Sequence, residues 1–69
     1  MIFNHRLKQL RKSQGWSQYE LADKLDTTRV NVNAWERGTE PSYDRLVQIA
    51  ELFRVSTDYL LGKENDDVK

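Results

Sequence analysis

The chain has 69 residues, 38% hydrophobic and 32% charged, with a formal net charge of zero. That length allows one domain with a small core, and the absence of cysteine together with a single histidine excludes a disulfide framework, a thiolate site and a zinc site. No apolar run approaches the roughly 18 residues of a membrane span, and the N-terminus lacks the apolar core of a signal peptide, so a cytoplasmic protein is expected.

Residues 1–14 read as a first helix. Phe3, Leu7 and Leu10 recur at i, i+4 and i+7 and form one apolar stripe, with Asn4 as a candidate cap. Arg6, Lys8, Arg11 and Lys12 gather the basic charge here without a single acid, while each later segment carries a small net negative charge. Zero net charge argues mildly against a nucleic-acid partner, but the local field, not the total, steers a polyanion. Gly15 permits the sharp change of direction that follows.

Residues 17–38 organise the rest. Ser17-Gln18-Tyr19-Glu20 is a capping box, in which Ser17 accepts from the Glu20 N–H and Glu20 reaches back to the Ser17 N–H. Trp16 and Leu21 flank it at the spacing of a hydrophobic staple. Leu21, Ala22 and Leu25 then form a buried stripe, and Ala22 is small enough for a second helix to cross closely. The pattern breaks at Asp26-Thr27-Thr28. Asp26 tolerates a left-handed turn, and Thr28 is the better cap for the next helix, with Thr27 as the alternative. Val32 and Trp35 face inward, and Gly38 is a natural stop with Arg37 near the helix C-terminus. Two short helices joined by a tight turn describe a helix-turn-helix, a device that places its second helix in the DNA major groove.

The outward face of that second helix departs from an ordinary solvated face. It offers Arg29, Val30, Asn31, Asn33 and Ala34 in place of Glu, Lys and Gln. Arginine bonds paired guanine acceptors, asparagine pairs with adenine, and valine or alanine touches a thymine methyl. Gln18 opens the preceding helix, where free N–H groups suit a phosphate.

Pro41 ends any helical continuation from Thr39-Glu40. Ser42 caps a fourth helix, with Leu46, Ile49, Ala50 and Phe53 at i, i+3, i+4 and i+7, and Val47 and Leu52 widening the face. Ser56 caps a fifth, which Gly62 ends. Tyr59, Leu60 and Leu61 are too apolar for a free surface, so most of the trio is expected in the core and any remainder in a dimer contact. Residues 63–69 lack periodicity and read as a flexible C-terminal tail or linker after a domain of residues 1–62.

Residues 6–62 resemble, without a gap, the Cro/repressor-type (XRE) helix-turn-helix family of phage and bacterial transcription regulators. The matching residues are Leu10-Arg11, Gly15-Trp16-Ser17-Gln18, Glu20-Leu21-Ala22, Val32, Trp35-Glu36-Arg37-Gly38, Pro41-Ser42, Leu46, Ile49-Ala50, Val55-Ser56 and Asp58-Tyr59-Leu60-Leu61-Gly62. The resemblance implies an all-α, five-helix, lambda-repressor-like DNA-binding domain. Arg29, Val30 and Ala34 occupy base-reading positions, and Asn31 and Asn33 touch base or phosphate. Gln18, Arg37 and Thr39 contact the DNA backbone, and Tyr19 adds a phosphate bond or covers surface. An Arg11–Glu36 ion pair is implied too, tying the first helix to the third and orienting Arg11 for a phosphate contact. Where the family usually has Gly and then Val or Ile, this chain has Asp26 and Thr27, which implies a less stable turn.

The function expected is a sequence-specific double-stranded DNA-binding transcriptional regulator, by default a repressor, acting as a homodimer on a palindromic operator. No enzyme, cofactor, metal, small-molecule ligand or membrane partner is expected. Asp23, Glu20 and Asp26 have capping, turn or surface explanations, and the lone His5 sits at a frayed helix start. The alternative is a protein-interaction module or an antitoxin-type partner. Such a module needs aromatic or Met anchors, where the third helix presents Arg and Asn.

Overall fold

Four hydroxyl caps divide the chain into helices. The computed structural model describes residues 2–63 and contains α1 (Ile2–Ser13), α2 (Gln18–Lys24), α3 (Arg29–Glu36), α4 (Tyr43–Phe53) and α5 (Thr57–Leu61), with no strand among the described residues. Ser17, Thr28, Ser42 and Ser56 stand in extended backbone ahead of α2 to α5, and each side chain accepts from the N–H three residues on. The capping box at Ser17 is complete. Glu20 N–H donates to Ser17 Oγ at 3.0 Å, and Ser17 N–H donates to Glu20 Oε1 at 2.7 Å. Of the two threonines in the turn, Thr28 is the cap of α3, and the Thr27 hydroxyl accepts from Asn31 Nδ2 at 2.8 Å.

All five helices stop in the same way, on a residue in the left-handed region whose neighbour's N–H folds back onto the last turn. Three of these residues are glycines. The other two, Asp26 (φ 56°) and Arg54 (φ 59°), hold a conformation that costs a residue with a Cβ about 1–2 kcal/mol. At Asp26 the stop closes through Thr27 N–H to Ala22 O at 2.9 Å and Asp26 N–H to Asp23 O at 3.1 Å. Gly62 serves a second purpose, because a Cβ there would lie 2.8 Å from Ile2 Cγ2. The α1–α5 contact requires the missing side chain.

The core unites Phe3 and Leu7 of α1, Leu21 and Ala22 of α2 with Leu25 at its C-cap, Val32 and Trp35 of α3, Leu46, Ile49 and Ala50 of α4, and Leu60 of α5. Helix α3 packs on both α2 and α1, so the second helix of the motif is held from two sides. Of the apolar trio on α5, Leu60 is buried and Leu61 is exposed. No described helix is long and apolar enough to cross a membrane.

One local expectation is corrected. Asn4 does not cap α1. The helix already runs from Ile2, and Asn4 Nδ2 instead donates to the Glu36 carbonyl at 3.3 Å, at the end of α3. Trp16 packs against the core that includes Leu21, with its ring 5.6 Å from that of Phe53 and Lys24 Nζ 4.6 Å from its centre. It therefore links the α1–α2 turn to α4. The tail expected at residues 63–69 falls, from residue 64 onward, outside the described residues.

Helix α4 secures the α2–α3 turn. Arg45 donates to the Leu25 and Asp26 carbonyls and to Gln48 Oε1, and Gln48 Nε2 donates to Leu25 O at 3.0 Å. A cation thus meets the unpaired carbonyls at the end of α2, where the helix dipole favours it. Two opposed effects follow at one turn. Asp26→Gly, relieved of the left-handed cost, is expected to stabilise the domain by about 0.5–1 kcal/mol. Arg45→Ala, which strips charged donors from the part-buried Leu25 carbonyl and the exposed Asp26 carbonyl, is expected to cost about 1.5–3 kcal/mol. Thermal unfolding monitored by circular dichroism reads both, at roughly 4–8 °C per kcal/mol for a chain of this size. An Asp26→Gly midpoint at or below the parent's would show that the turn is not strained.

Candidate nucleic-acid interface

The site begins with a buried charge pair behind α3. Arg11 comes from the last turn of α1 and Glu36 from the last residue of α3, and they are 9% and 7% exposed. Arg11 Nε donates to Glu36 Oε2 at 2.6 Å and Nη2 to Glu36 Oε1 at 3.0 Å, in the forked geometry that guanidinium and carboxylate share. Nη1 donates to the Trp16 carbonyl at 2.8 Å, which fixes the approach to α2 as well. The guanidinium therefore faces inward and joins α1, the α1–α2 turn and α3.

Gln18 extends this network to the surface. Its Nε2 donates to Glu36 Oε1 at 3.1 Å and to Asn33 Oδ1 at 3.3 Å. The first residue of α2 thereby braces the middle and the end of α3.

The outer face of α3 lies beyond that brace. Arg29, Val30 and Asn31 are exposed together at its N-terminal end, Val30 to 69%. The Arg29 guanidinium carbon stands 5.6 Å from the centre of the Tyr19 ring, within the range of a cation–π contact. Tyr19 is itself 70% exposed, so the pair forms one ledge between the starts of α2 and α3. Asn33 and Ala34 are half-buried farther along. Arg37 and Thr39 are exposed past the helix, and the Thr39 N–H donates to Ala34 O at 2.9 Å in the helix stop.

Two contacts thus span the α2–α3 pair, Gln18 to Asn33 and Tyr19 to Arg29, and Arg29, Val30, Asn31, Arg37 and Thr39 are exposed on α3 and just past it. Arg11 stands behind them. Sequence reasoning missed Arg45 and Gln48, which grip the turn that aims α3, and Asn4, which meets the end of α3. An i, i+3 polar pair on an amphipathic helix looks like an ordinary solvated face, and nothing in its spacing signals reach to a neighbouring helix.

Comparison with known proteins decides the family. A helix-turn-helix family model matches residues 7–60. The chain belongs to the Cro/repressor-type (XRE) helix-turn-helix family. The helix-turn-helix domain is 42% identical over 65 residues to the HTH-type transcriptional regulator ImmR of Bacillus subtilis (strain 168), covering 93% of this chain and 51% of ImmR. It is 42% identical over 69 residues to the uncharacterized HTH-type transcriptional regulator YqaE of the same organism, covering 97% of this chain and 60% of YqaE. The chain thus spans about half to three fifths of these relatives. Among solved structures it is similar to the P22 c2 repressor protein in complex with synthetic operator 9T, with a TM-score of 0.84 and 28% identity, covering 93% of this chain and 98% of that one. The lambda-repressor-like, five-helix expectation holds.

The buried pair generates a stability prediction. Arg11→Met leaves Glu36 charged, buried and short of its main partner, and is expected to cost about 3–5 kcal/mol. In a domain this small that is enough to leave much of the chain unfolded. Arg11→Met combined with Glu36→Leu removes both charges and is expected to recover most of the loss. Urea denaturation of the three proteins measures it. A cost below about 1 kcal/mol for the single variant would show the pair to be solvated and dispensable.

Proposed function

We propose that this chain is the DNA-binding domain of a transcriptional regulator, acting by default as a repressor, and that it inserts α3 into the major groove of a double-stranded operator. The observation that carries the reading is the joint exposure of Arg29, Val30 and Asn31 at the start of an α3 whose other side is locked by Arg11, Glu36 and Gln18. Groove reading requires side chains that protrude from a helix whose position does not fluctuate. Being similar to a repressor protein in complex with an operator supports the same orientation.

In this reading Arg29 bonds guanine acceptors, and Val30 and Ala34 supply apolar contact to thymine methyls. Asn31 and Asn33 complete the base-reading face. Gln18, Tyr19, Arg37 and Thr39 meet the DNA backbone. Both side-chain N–H groups of Gln18 point inward, so its phosphate contact falls to its main-chain N–H. Arg11, itself turned inward, serves the backbone contact through Glu36 and Gln18. One module reads only a few base pairs, and a homodimer on a palindromic operator, with half-sites about 34–36 Å apart, doubles the readout. The exposed Leu61 on α5 is an apolar residue available to such a contact. A double-stranded DNA partner fits a cytoplasmic location.

Equilibrium binding to a preferred duplex and to duplexes altered at single base pairs separates the roles. Arg29→Ala is expected to lose about 1–3 kcal/mol on the preferred duplex and to relax one base position. Arg37→Ala is expected to weaken all duplexes alike and to lower the salt slope by about one. A uniform loss for Arg29→Ala would reassign it to phosphate, and binding with no salt dependence would remove the DNA reading altogether.

A further inference from the structure

The Arg11–Glu36–Gln18 network does more than hold α3. A carboxylate forked onto a guanidinium offers only acceptors. Glu36 Oε1 therefore obliges Gln18 to present its NH₂ group, at 3.1 Å, because the reverse orientation would set two oxygens against each other. The second N–H of that same nitrogen reaches Asn33 at 3.3 Å and obliges Asn33 to present its Oδ1 inward. Asn33 in turn is left with Nδ2 facing away from the network. The polarity of a buried charge pair is thus transmitted through two amides to the surface of α3.

Asn31 is not constrained in this way. Its Nδ2 donates to the Thr27 hydroxyl at 2.8 Å, and a hydroxyl donates as readily as it accepts. Either orientation of the Asn31 amide is satisfied, so only Asn33 carries an imposed direction.

We propose that Asn33 is a one-way donor toward the major groove, reading the acceptor edge of guanine or thymine and discriminating against adenine. This rests on the DNA-binding reading above and deepens it. Adenine recognition by asparagine needs a donor to N7 and an acceptor for the N6 amino group together. The Asn33 Oδ1 is turned inward to Gln18, so the outward edge of the amide does not offer donor and acceptor side by side. Guanine, with O6 and N7 both acceptors, and thymine, with O4, ask only for the donor that remains.

The test is equilibrium binding to a panel of duplexes in which each base pair of the preferred operator is replaced in turn, using the native chain, Asn33→Ala, Asn33→Asp and Gln18→Met. Asn33→Ala locates the position by flattening its preference. There the native chain is expected to favour guanine or thymine over adenine by about tenfold. Gln18→Met frees the Asn33 amide to turn and is expected to narrow that ratio at least about threefold, with the ranking at other positions kept. Asn33→Asp, which cannot donate, is expected to turn the preference toward cytosine and its amino group, and as a half-buried surface change it tests the idea even if Gln18→Met does not fold. A native preference for adenine at that position, a ratio unchanged in a folded Gln18→Met, or a loss for Asn33→Ala that is equal on every duplex would each overturn the proposal. Failure of the native chain to bind any duplex would remove the DNA reading itself, a result distinct from those three.

Discussion

A guanidinium and a carboxylate meet behind α3, both nearly sealed from water, and most of what is specific about the domain follows from that contact. Removing two charges from water is costly, and the cost is met only if every polar atom of the pair finds a partner. Arg11 satisfies this with two bonds to Glu36 and one to the Trp16 carbonyl. Glu36 satisfies it with those two and a third from Gln18. These demands join α1, the turn into α2, the start of α2 and the end of α3, the elements whose relative placement must be fixed if α3 is to enter a groove in one register. The pair adds little to stability over a well-packed apolar substitute. What it adds is direction, because charges and amides have donors and acceptors where a leucine has neither.

The turn between α2 and α3 illustrates the opposite balance. A glycine at position 26 would take the left-handed conformation at no steric cost, whereas Asp26 holds it against its own Cβ. The chain compensates from outside the motif. Arg45 and Gln48 on α4 reach the carbonyls that the end of α2 leaves unpaired. The angle between α2 and α3 therefore depends on a helix that takes no part in the motif. Helix α4 is as much a part of the aiming apparatus as the turn, and Trp16 on Phe53 gives it a second hold on the α1–α2 connection.

Much of this was legible in the residues. Ser17, Thr28, Ser42 and Ser56 announce four helix starts because a hydroxyl cap acts within three residues, and Leu21, Ala22, Val32, Trp35, Leu46, Ile49 and Leu60 follow the helical period into the core. Local chemistry and periodicity are short-range, and the sequence displays them directly. The outward set of Arg29, Val30 and Asn31 was legible for the same reason, as the complement of the buried stripe. What escaped reading is long-range. Asn4 at the Glu36 carbonyl, Trp16 on Phe53 and Arg45 on the Leu25 carbonyl each link positions 20 or more residues apart. No spacing rule connects them, since each depends on how helices cross. The direction of the Asn33 amide was hidden as well, because it is set by a charge two hydrogen bonds away.

The central claim is that this network presents α3 to a DNA groove as a reading surface. Selection of bound duplexes from a random library by the native chain, followed by salt titration on the recovered sequence, tests it most directly. The account predicts recovery of a short inverted repeat with half-sites about one helical turn apart, and an affinity that falls steeply as salt rises. Recovery of nothing above background at low salt would contradict it, and Arg29, Val30 and Asn31 would then be an ordinary surface or the contact face for another protein.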